Sequence, residues 1–78
     1  MKTLTKTVRM KSGDSFYFVR KDNAPGSKIA NEILSGCAIN EEIARCWLEE
    51  IQTEEPEAYI VKTVLFRGGE FPVHVPAF

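Results

Sequence analysis

At 78 residues with 44 % hydrophobic content, the chain holds enough apolar material for one core and too little for a second. A domain this small buries only about 60 to 65 % of its unfolded surface, which leaves little volume for an enclosed active-site cavity and weighs against an enzyme. The formal net charge of −1 hides a polarity: residues 1–30 carry seven Lys/Arg against Asp14 and Asp22, whereas residues 31–58 carry eight Glu against Arg45 alone.

Residues 3–11 alternate, with Thr3, Thr5, Thr7, Arg9 and Lys11 on one face and Leu4, Lys6, Val8 and Met10 on the other. That pattern predicts a half-buried strand in which Lys6 is the misfit on the inner face. Ser12-Gly13-Asp14 supplies turn chemistry, and Ser15 to Arg20 reads as a return strand, so a hairpin is expected. The run Asp22-Asn23-Ala24-Pro25-Gly26 ends it.

Ser27 is placed to cap a short helix carrying Ile29, Ala30, Ile33 and Leu34, with Gly36 just past its end. A longer helix is predicted from Asn40, a good N-cap, with Glu41 and Glu42 in the first turn and a buried stripe of Ile43, Cys46/Trp47, Leu48 and Ile51. Pro56 closes that segment. Ala58 to Phe66 is apolar on nearly both faces and reads as a central strand. Arg67 to Glu70 reads as a second hairpin turn, and Phe71 to Val75, interrupted by Pro72 and followed by Pro76, as an edge strand. The expected architecture is α+β in the order ββααββ: two β-hairpins forming a four-stranded antiparallel or mixed sheet, with two helices packed on one face, all in a single domain over residues 1–78.

No secretory signal and no membrane-length apolar run is expected, and Cys37 and Cys46 read as reduced, buried thiols, so the predicted compartment is the cytoplasm. His74, between prolines, reads as a solvent-facing strand residue. Cys37 and Cys46 are nine apart and lack metal-ligand spacing, so no metal, cofactor or catalytic group is assigned.

The surfaces are more informative. Glu41, Glu42, Glu49, Glu50, Glu54 and Glu55 form an acidic ridge fitted to a protein partner with a basic surface, a nucleoprotein complex included. The plainer reading of the same residues is a helix kept soluble by charge. Arg9, Lys11, Arg20 and Lys21 with Tyr17 form the alternative, a nucleic-acid-binding surface that pairs phosphate contacts with one stacking ring. The apolar, proline-bearing end offers Phe78 as a docking residue or the seam of a homodimer. Membrane binding is not expected.

The hairpin from Thr3 to Arg20, the helical middle from Ser27 to Gln52 and the closing hairpin from Ala58 to Val75 together resemble small phage- or prophage-encoded accessory proteins, including anti-CRISPR inhibitors. The resemblance implies a non-enzymatic, stoichiometric inhibitor of a host defence complex. It lies in architecture and charge, so it assigns no functional residue.

Overall fold

The fold comes from a computed structural model, which describes residues 2–77; Phe78 lies outside them. Five strands and one helix follow in the order β1 (Thr3–Met10), β2 (Ser15–Asp22), β3 (Asn31–Ile33), α1 (Glu41–Ile51), β4 (Tyr59–Val64) and β5 (Gly69–Pro76). Among the described residues the protein is mostly β with a single helix, so the expected ββααββ α+β arrangement of two helices on a four-stranded sheet is corrected.

Neither expected hairpin forms. β1 pairs antiparallel with β5, and β2 pairs antiparallel with both β3 and β4, giving ladders of two and three strands. Thr3 faces Pro76 and Met10 faces Gly69 in one ladder; Ser15 faces Val64 and Arg20 faces Tyr59 in the other. Segments 11–14 and 65–68 separate them and are equal in length, so both ladders share one register. Residues 3–20 and 59–76 are thus one antiparallel ribbon, interrupted at its middle.

At the interruption Gly13 N–H donates to the Leu65 carbonyl (2.9 Å) and Leu65 N–H to that of Asp14 (2.8 Å). Gly68 permits this approach, since a β-carbon there would come within 2.8 Å of the Met10 carbonyl oxygen. The turn residues that suggested two hairpins instead lie at an interruption shared by two neighbouring strands.

The segment expected to form the first helix is the loop and return strand of a β2–β3 hairpin. Asn23 closes the loop: its N–H donates to the Ala30 carbonyl (2.9 Å) and its side-chain amide to that of Ile29 (2.8 Å). Ile29 and Ile33 are 60 % and 65 % exposed, so they form no buried helical stripe. A helix of that length has too few hydrogen bonds to compete with the free edge of β2. The loss of both hairpins and of half the helical middle removes the architectural basis of the likeness to phage accessory proteins.

Ala38 joins the two ladders. It exchanges hydrogen bonds with Tyr17 (2.6 and 2.9 Å), while His74 N–H donates to the Cys37 carbonyl (2.7 Å) and Ile39 N–H to the His74 carbonyl (3.0 Å). β5 is therefore flanked on both sides, and β4, expected at the centre, pairs with β2 alone. The prolines still set a limit. His74 turns its backbone groups away from β1, so alternation aims Pro72 and Pro76 the same way, and only His74 can donate to segment 37–39.

Helix α1 covers the face carrying Tyr17, Ala38 and His74. Ala38, Ile43 and Ala44 are fully buried there, with Tyr17, Ile39, Trp47 and Ile60 packed around them. Met10 and Val73 are buried among the strands, whose opposite face carries half-buried Phe16, Phe18 and Phe71.

Candidate functional site

Helix α1 forms where its start signals predict. The Asn40 side-chain oxygen accepts from Ile43 N–H (3.0 Å), satisfying one otherwise unpaired donor, and Glu41 and Glu42 occupy the first turn, where the helix dipole favours negative charge. Burying Ile43 and Ala44 turns Glu41, Glu42, Arg45 and Glu49 outward, and all four are exposed. Glu50 lies at the margin of this face, and Glu54 is exposed in the turn that follows the helix.

The six acidic residues differ in their partners. Glu41 pairs with Arg45 at 3.2 Å, a surface contact of little energetic weight. Glu55 accepts from Lys21 at 3.1 Å. Glu42, Glu49, Glu50 and Glu54 have no ion-pair partner among the described residues.

The alternative basic set is more divided. Tyr17 packs its ring on the helix core, so it is not a free stacking platform. Arg20 lies over the Tyr59 ring (5.3 Å) and its Nε donates to the Tyr59 hydroxyl (2.9 Å), which in turn donates to Asp22 (2.8 Å). Lys21 is held between Glu55 and Glu32, at 3.1 and 3.6 Å. The hydrogen bond to Glu55 raises the Lys21 ammonium above its ordinary value, and the same bond holds the Glu55 carboxyl below its own. Arg9 stands opposite Glu70 on β5, and Lys11 is exposed in the segment after β1. One member of the basic set therefore pairs with one member of the acidic ridge.

No family model, curated protein or solved structure matches this chain.

A feature unforeseen from the sequence lies beside the acidic face. Thr3, Leu34, Ser35, Gly36, Trp47, Glu50, Ile51 and His74 line an open cleft of about 280 Å³. His74, expected to face solvent, is half-buried, with its ring edge-to-face with Trp47 (centroids 5.0 Å, interplanar angle 89°). Its Nδ1 lies 3.4 Å from the Thr3 hydroxyl. Gly36, expected as a helix cap, packs against the imidazole instead, since a β-carbon there would come within 2.8 Å of Nε2. Ser35 spends its hydroxyl on the backbone, accepting from Val19 N–H (2.8 Å) and donating to the Gly36 carbonyl (3.0 Å).

The Thr3–His74 separation is long for proton transfer, and no carboxylate hydrogen-bonds His74 among the described residues. Burial pushes the Cys37 thiol up, away from the reactive thiolate. Among the described residues no three His, Cys, Asp or Glu side chains gather as metal ligands, and no helix is long and apolar enough to cross a membrane. What could have flagged the cleft is the single Trp three residues before a Glu on a helix, a spacing that places both on neighbouring positions of one side.

Proposed function

We propose that this chain is a non-enzymatic protein-binding module that engages a basic partner surface through the outward side of α1. The observation that carries this reading is the set of exposed, unpaired carboxylates: Glu42, Glu49, Glu50 and Glu54 have no neutralising neighbour among the described residues. Like charges crowded on one helix repel, and few cations offset them, so a complementary surface gains by neutralising them. The narrower form of the proposal is a stoichiometric inhibitor that competes with nucleic acid for the cationic groove of a nucleoprotein complex. The nucleic-acid-binding alternative has less support, because Tyr17 packs in the core and Lys21 is already paired.

The test is affinity capture from host lysate with and without nuclease, at low and high salt, in parallel with the double charge reversal Glu42→Lys/Glu49→Lys. The proposal expects a nuclease-resistant, salt-sensitive protein partner whose binding falls by about tenfold or more on reversal. Displacement of that partner by added nucleic acid would favour the inhibitor form. Recovery of nucleic acid alone, unaffected by the reversal, moves the reading to Arg9 and Lys11.

A further inference from the structure

We infer that the cleft beside the acidic face is a receptor for one arginine side chain of the partner; this rests on the proposed binding role of α1. Among the described residues Glu50 is the only formally charged side chain in the cleft lining, and it is negative. It has no ion-pair partner among the described residues. The rest of the wall is largely apolar or aromatic: Leu34, Ile51, the Trp47 indole and the His74 ring. The nearby hydroxyl of Ser35 is already committed to the backbone, so it offers little to a polar uncharged ligand.

A complementary ligand joins an apolar stem to a flat cation. Arginine has that form: its methylene stem packs on aliphatic walls, its planar guanidinium stacks on aromatic rings, and its fork of donors matches a carboxylate. Lysine satisfies the charge but presents a compact, strongly hydrated ammonium that does not stack. A volume of about 280 Å³ accommodates such a side chain, although the cleft is open and shallow for a whole drug-sized molecule. The His74 ring packs edge-to-face with Trp47, and Gly36 lies close against the same imidazole, so the aromatic wall is built from contacts within the fold. An aromatic wall next to a carboxylate without an ion-pair partner among the described residues is the kind of pocket that supplies an anchor to an otherwise electrostatic interface.

The chain contains one tryptophan, so Trp47 reports on the cleft without labelling of other sites. The experiment titrates the full chain with a tetra-arginine peptide and a tetra-lysine peptide of equal charge, following Trp47 fluorescence and its indole N–H resonance, and repeats both with Glu50→Gln. The inference expects salt-sensitive binding of both peptides, but a Trp47 response to arginine alone and about two- to fivefold tighter binding of the arginine peptide. Glu50→Gln should abolish the Trp47 response and the arginine preference while weaker binding persists through Glu42 and Glu49. Equal binding of both peptides with a silent Trp47 overturns the arginine receptor and leaves the acidic-face reading intact. Binding of neither peptide overturns both.

Discussion

Lys21 is where the two candidate surfaces meet, and its geometry has a consequence for pH. The Lys21 side chain is 18 % exposed and reaches Glu55 at 3.1 Å and Glu32 at 3.6 Å. Because the Glu55 carboxyl is held below its ordinary value of 4.5, its contribution to stability is present above that value and is lost as pH falls through the lowered one. Lys21 is raised above 10.5, so its contribution is present below that value and disappears as pH rises through the raised one. The two shifts report one interaction and are not additive. Glu55→Gln should therefore be less stable than the parent at pH 7, with the difference closing toward pH 3 and shrinking in 1 M salt. Urea midpoints at the two pH values check this; a difference that stays constant with pH would show that the pair does not contribute.

At the level of the element, α1 was legible in advance because independent local signals agreed: an Asn cap, first-turn acids and apolar residues at helical spacing. Asn40→Ala should cost about 1 kcal/mol, within the 0.5 to 2 kcal/mol typical of lost caps, and Asn40→Asp should restore most of it; chemical denaturation reads both. Residues 27–34 misled because Ile29, Ala30, Ile33 and Leu34 also fit helical spacing, while the feature that decides their conformation is non-local. Leu34 N–H donates to the Val19 carbonyl (2.8 Å), and Asn31 to Ile33 pair with β2. Four strands were likewise readable, two from alternation, one from the turn residues before it and one from its apolar run, but not their partners, since such patterns are a property of one segment and pairing is a property of two. The acidic face was legible for the same reason as the helix. The cleft was not, because Thr3, Ser35–Gly36, Trp47–Glu50 and His74 come from four separated segments that the β1–β5 ladder, the Ala38 junction and the packing of α1 bring together.

Across the whole molecule, the ribbon of residues 3–20 and 59–76 leaves β1 as an outer strand. Its Thr3, Thr5, Thr7 and Arg9 backbone groups turn away from β5, an open row available to another strand. Lys6, the misfit of the alternating pattern, sits on this strand opposite buried Val73 and is exposed. A lysine in mid-edge discourages strand addition because a partner would have to accommodate its charge. Lys6→Val should increase concentration-dependent self-association relative to the parent, measured by sedimentation velocity; unchanged sedimentation up to high micromolar protein would show that another feature guards the edge. The same ribbon also determines how the protein yields to tension. Thr3 and Pro76 are partners at one extremity of the β1–β5 ladder, so a pull applied between these two residues loads its hydrogen bonds one after another, as in opening a zip, and not all together in shear. Mechanical resistance is then set by one rung at a time. A pull on Thr3 would begin by peeling β1 from β5, whereas a pull on Pro76 also draws His74 away from segment 37–39 and from Trp47.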